Sequence, residues 1–168
     1  MSSTRRLFVV LLNSLLAILA SACATTPEFN LQDVAKDVAP TQAVAHFPDY
    51  HGKKLLWGGV ILNSTNTKQG TQFEVLAYPL DSDMRPQTDL NTQGRFLANS
   101  SQYLETVDFA PGKLLSVVGV LTETQQGKIG EAVYTYPVLQ IDQLHLWNKD
   151  EDKPVDTSVH FGIGVIFH

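Results

Sequence analysis

The sequence predicts an all-β protein: a small antiparallel OB-like barrel that follows an N-terminal signal and a flexible linker. Three observations carry that expectation. Between Lys53 and Trp147 five segments are rich in branched and aromatic residues, and turn-forming stretches separate them. Glycines sit inside the most apolar of these segments, where a strand must bend sharply to close a barrel. The order is a long hairpin, a short strand and a second hairpin, as in an OB-type barrel.

The elements follow along the chain. Residues 1–22 read as a signal peptide: Arg5 and Arg6 form a short basic region, Leu7 to Ala20 an apolar one, and Ala20-Ser21-Ala22 a small-residue approach to Cys23. The apolar run is interrupted by Asn13 and Ser14 and falls short of the roughly 20 residues that cross a bilayer. Small residues directly before a cysteine resemble the processing site of bacterial lipoproteins. That resemblance implies cleavage between Ala22 and Cys23 and lipidation of the Cys23 thiol. The usual leucine three places before the cysteine is Ala20 here, with Leu19 one place early. The competing reading is an ordinary cleaved signal that leaves an unmodified cysteine. Ala24 after the cysteine, in place of Asp, resembles a signal for sorting to the outer membrane of a Gram-negative cell.

Residues 23–48 are small and polar, broken by Pro27, Pro40 and Pro48. They are expected to form the lipidated N-terminus and a flexible tether, with Leu31, Val34 and Val38 at weak helical spacing. Residues 49–148 hold the expected barrel. KLLWGGVILNSTN, with Gly58-Gly59 suited to a bulge or bend, pairs with TQFEVLAYPLD, in which Phe73, Val75 and Ala77 alternate with Gln72, Glu74 and Leu76. A long polar connection, DSDMRPQTDLNTQG, leads to the short strand RFLANS. The second hairpin is GKLLSVVGVLTET, a turn at Gln125-Gln126-Gly127, and KIGEAVYTYPVLQIDQLHLW, with a phase change near Gln140 that marks a bulge. KLLWGGVIL and KLLSVVGVL echo each other, and two core strands bending round one barrel explain this better than a duplication. Residues 149–168 are a charged segment and the apolar tail VHFGIGVIFH, either an edge strand or an interaction segment.

The 168 residues carry 12 basic and 17 acidic side chains, a formal net charge of −5. Loss of residues 1–22 removes Arg5 and Arg6 and no acidic residue, so the mature net charge is about −7. Such a domain does not neutralise phosphates, which argues against a nucleic-acid partner or an anionic lipid surface. Cys23 is the only cysteine, and lipidation leaves no thiol for redox or metal chemistry.

No catalytic constellation is present. The chain has no Gly-x-Ser-x-Gly elbow and no thiol left to act as a nucleophile. His46, His51, His145, His160 and His168 are scattered; His46 and His51, flanking FPDY, come nearest to a pair and read as surface histidines. Asp81 to Asp83 and Asp150 to Lys153 lack the Gly and Glu framework of a calcium loop, so neither a metal nor a cofactor is expected. Asp81 and Arg95 flank the long connection and are a candidate ion pair across its mouth, weighed against two independent solvated charges. Tyr134, Tyr136 and Trp147 are a candidate binding surface, the alternative being burial in the core.

WGGVI, EVLAYPLD, Pro86, GRFLA, GKLLSVVGVL, GEAVYTYPVLQI and LHLW follow one another in the order seen in the Slp family of starvation-inducible outer-membrane lipoproteins, which the chain resembles from about His46 to Trp147. The resemblance implies an envelope lipoprotein linked to stationary-phase or acid stress. It transfers no catalytic residue. The expected function is a non-enzymatic protein, anchored in the outer membrane through the Cys23 lipid and facing the periplasm, that binds an envelope protein or ligand. Two alternatives stand beside it: an envelope enzyme with an unrecognised site, and an OB-type binder of oligonucleotides or oligosaccharides, whose nucleic-acid form the acidic charge opposes.

Overall fold

The computed structural model describes residues 29–35 and 37–147. Its elements are β1 (Val34–Ala35), α1 (Pro40–Ala45), α2 (Phe47–Tyr50), β2 (Lys54–Thr67), β3 (Gly70–Tyr78), β4 (Arg95–Ser100), β5 (Leu114–Ile129) and β6 (Ala132–Trp147). The strands run in the order β1-β2-β3-β4-β6-β5, and β2 also pairs with β5, which closes a five-stranded barrel with β1 appended. This is the OB strand order that the hairpin, strand, hairpin pattern predicts. One pair within the barrel, β4 with β6, is parallel, so the barrel is not wholly antiparallel. The short strand β4 enters between the first hairpin and the last strand, which forces that direction.

The glycines explain how β2 serves two neighbours at once. Gly58, Gly59 and Val60 pair with β3 on one side and β5 on the other. A Cβ on Gly59 would lie 1.9 Å from the Leu76 carbonyl oxygen, so only glycine allows this approach. The paired glycines mark the bend; the bulge lies further on, between Ile61 and Asn63. On the second hairpin the register shifts between Val118 and Gly119 and again between Leu121 and Glu123, the first of these opposite the phase change near Gln140. The two echoing segments prove to be partners, paired from Lys54↔Val120 to Val60↔Leu114.

Alternation sends Leu55, Ile61, Phe73, Val75, Phe96, Leu115, Val117 and Leu139 into the barrel, all fully buried. Each contributes about 1.5–3 kcal/mol by leaving water. Trp57 packs on Phe96 with ring centroids 5.1 Å apart, and Phe109, from the β4–β5 connection, packs on Phe73 at 5.2 Å.

Three expectations are corrected. The segment read as a flexible tether is docked on the barrel from Asn30 onward. The Asn30 amide donates to Gln143 Oε1 at 2.9 Å, β1 pairs in parallel with β2, and Trp57 Nε1 donates to the Val38 carbonyl at 2.6 Å. Pro40 and Pro48, read as breakers, stand in the first turns of α1 and α2, where a fixed φ and a missing N–H suit a helix start. Pro40 and Ala43 are buried. The turn expected at Gln125 to Gly127 is also displaced: β5 runs on to Ile129 and the chain reverses at Gly130 and Glu131. Gly127 has another use, because a Cβ there would fall 2.8 Å from the Tyr136 ring.

Among the described residues no helix is long and apolar enough to cross a membrane. The signal at residues 1–22, the cleavage and lipidation site at Ala22 and Cys23, and the segment 149–168 lie outside the described residues.

Candidate functional site

Two places on the barrel gather polar or apolar groups of functional type. The first is its outer β3–β4 face. Glu74 points outward because Phe73 and Val75 point in. Its carboxylate accepts from Arg95 Nη1 at 2.8 Å and from the Tyr136 hydroxyl at 3.0 Å. The Arg95 amide donates to the Tyr134 hydroxyl at 2.8 Å, and the two tyrosine rings meet edge to face at 4.7 Å. Leu97, Tyr136 and Val138, with Ile129 and Tyr134 against them, form a second small core under the β5–β6 hairpin. The hydrogen bond to Glu74 holds the Arg95 guanidinium above its ordinary pKa; burial, then the bond to Glu74, raises the Tyr136 phenol above its own.

The candidate Asp81–Arg95 pair is therefore not the one that forms. Arg95 pairs with Glu74, its diagonal neighbour in the β3–β4 register. Asp81 Oδ1 instead accepts from the Asp83 and Arg85 amides, each at 2.9 Å, and shapes the turn that begins the long connection.

The three aromatic residues do not form one exposed surface. Tyr136 is buried and Tyr134 half-buried, both under the hairpin on the outer β3–β4 face. Trp147 is buried elsewhere: its Nε1 donates to Ser116 Oγ at 2.9 Å, His145 stacks edge-on at 4.5 Å, and the Arg85 guanidinium lies over its ring. Sequence parity separates Glu74 from the core, but only the register brings Arg95 and Tyr136 to it.

The second place is a groove of about 370 Å³ that the sequence reading did not identify. The docked N-terminal segment supplies Leu31, Val34 and Val38, β2 supplies Leu56 and Trp57, and the end of β3 with its connection supplies Tyr78, Leu80 and Met84. No local motif announces it, since it exists only because the segment before Pro40 packs against the barrel. Asp37, Asp81 and Gln93 are its other polar lining.

Among the described residues no group of three or more His, Cys, Asp and Glu side chains converges on a point that would hold a metal ion. His46 and His51 flank α2, with the His51 ring 5.3 Å from Phe47. His145 Nε2 is buried without a hydrogen-bond partner among the described residues.

A model described as the outer membrane lipoprotein Slp family matches residues 20–163, a longer stretch than the motifs alone suggest. The chain is 31% identical over 159 residues to "Uncharacterized lipoprotein YeaY" of Escherichia coli (strain K12), covering 88% of this chain and 79% of that one. It is 29% identical over 141 residues to "Outer membrane protein Slp" of the same organism, covering 81% of this chain and 73% of that one. A Haemophilus influenzae protein is 35% identical over 109 residues, 63% of this chain and 59% of that one. Among solved structures, a small single-stranded DNA-binding protein of Streptomyces coelicolor is similar with a TM-score of 0.35 and 12% identity, over 57% of this chain and 94% of that one. The barrel assignment rests on the strand order and not on that likeness.

Proposed function

The chain belongs to the outer membrane lipoprotein Slp family, and from that premise we propose a non-enzymatic binding protein of the envelope, anchored by lipid on Cys23 with its barrel in the periplasm. The observation that carries this reading is the docked N-terminal segment, which forms one wall of the groove. Among the described residues the first docking contact is made by Asn30, seven residues after Cys23. At roughly 3.3–3.6 Å per extended residue Asn30, on the edge of the barrel, is held within about 25 Å of the anchor. Leu31, the next residue, lines the groove, so the groove's edge stays within a short tether's reach of the membrane surface. Support for a binding role over catalysis comes from the polar groups on the outer face: Glu74, Arg95 and Tyr136 are spent on holding the hairpin to the barrel. The same hairpin covers the outer β3–β4 face, which disfavours an oligonucleotide or oligosaccharide binder of the OB kind. A link to stationary-phase or acid stress is supported by the family resemblance.

Fractionation of cells, combined with protease added to intact cells, tests the reading. The wild-type chain is expected in the outer membrane and protected from external protease, and the Cys23→Ser chain in the soluble periplasmic fraction. A Cys23→Ser chain that stays in the outer membrane contradicts the anchor, and digestion in intact cells contradicts the periplasmic face.

A further inference from the structure

The groove beside the N-terminal segment has a consistent chemistry. Its aliphatic lining is Leu31, Val34, Val38, Leu56, Leu80 and Met84. Its charged lining is two carboxylates, Asp37 and Asp81, and no lysine, arginine or histidine stands among the described lining residues. A volume of about 370 Å³ falls within the roughly 300–1,000 Å³ of small-molecule sites.

Backbone strain gathers at the same place. Among the described residues three non-glycine residues have positive φ: Asp33 (62°), Asp37 (59°) and Met84 (67°). Asp37 and Met84 line the groove, and Asp33 precedes its lining residue Val34. A methionine in the left-handed region is uncommon, and strain of this kind persists where its surroundings over-determine it, often at a ligand site. Here Ser116 Oγ donates to the Met84 carbonyl at 2.6 Å and itself accepts from Trp147 Nε1, which fixes the Met84 wall from within the fold.

We propose that this groove binds a single-chain amphiphile with a positively charged head group, its aliphatic chain against Val38, Leu56, Leu80 and Met84 and its charge beside Asp37 and Asp81. The assignment deepens the binding reading given above and rests on it. An anionic head would set like charges together beside exposed Asp37 and half-buried Asp81, whereas a cationic head is attracted there. The chain's own apolar tail, Val159 to His168, is the other candidate occupant. The segment that leads to it carries Asp150, Glu151, Asp152 and Asp156 against Lys149 and Lys153, the same net sign as the groove, which disfavours it.

The test uses outer-membrane vesicles that contain the full mature protein. A dodecyltrimethylammonium probe with a diazirine on its chain is photolysed beside a matched dodecanoate probe, and labelled peptides are mapped by mass spectrometry. The ammonium probe is expected to label peptides spanning residues 31–38 and 78–84 at least fivefold more than the carboxylate probe. Asp37→Asn with Asp81→Asn, which keeps both side chains' size, is expected to remove that preference. Equal labelling by the two probes, labelling elsewhere on the barrel, or a preference unchanged in the double variant overturns the proposal. Labelling seen only after deletion of Val159 to His168 assigns the groove to the tail and overturns it as well. The amount of each protein in the outer-membrane fraction is read from the same samples. Loss of the protein from that fraction counts against the anchored reading, whereas full recovery without labelling counts against the ligand alone.

Discussion

Arg95 Nη1 lies 2.8 Å from Glu74 Oε1, and this pair ties β4 to β3 on the barrel's outer face. Both side chains are about three-quarters shielded from water, at 28% and 24% exposure, so screening by solvent is incomplete. A double-mutant cycle on Glu74→Gln and Arg95→Met, read by urea unfolding, is expected to show about 1 kcal/mol of coupling or more. The same cycle on Asp81→Asn and Arg95→Met is expected to be additive to within about 0.3–0.5 kcal/mol.

Tyr136 adds a pH dependence to this cluster. Burial first, and then its bond to Glu74, raises its pKa above the ordinary value near 10. The folded state then keeps this proton at a pH where the unfolded chain releases it. The stability it contributes is complete below pH about 10 and is lost as pH rises toward the folded pKa. Thermal melts are expected to fall steeply above pH about 10 and less steeply in Tyr136→Phe. Ultraviolet titration is expected to show a late-ionising tyrosine that Tyr136→Phe removes.

Gly59 is the bend that lets β2 reach both neighbours. Gly59→Ala places a methyl group against the Leu76 carbonyl, a backbone atom that cannot rotate away. A loss of about 3 kcal/mol is expected in denaturant titration. Gly52→Ala serves as a comparison: a Cβ there meets nothing within 4 Å, although its φ of +76° costs some strain of its own.

Trp57→Phe tests the docking of the N-terminal segment. The change removes the 2.6 Å bond to the Val38 carbonyl and keeps most of the apolar contact. A loss of about 1–2 kcal/mol is expected. Faster amide exchange is expected between Asp37 and Tyr50, with β3 and β4 unaffected.

The strands were legible because their signal is local. Phe73, Val75 and Ala77 alternate with Gln72, Glu74 and Leu76, and the barrel buries the first three. What failed needed information from elsewhere in the chain. Pro40 and Pro48 look like breakers until they are seen to begin helices against the barrel. Gly127 looks like a turn residue until Tyr136 is known to lie across it. Glu74 and Arg95 are 21 residues apart in sequence, and only the pairing of Glu74 with Leu97 makes them diagonal neighbours. The groove was hidden for the same reason, since its walls come from three separated stretches.

We propose that lipid on Cys23 holds the chain to the outer membrane. Labelling cells with a radioactive fatty acid, with wild-type and Cys23→Ser chains compared side by side, tests it most directly. Label on the wild-type chain and none on Cys23→Ser is the predicted result. Equal label on both, or none on the wild-type chain, would contradict it.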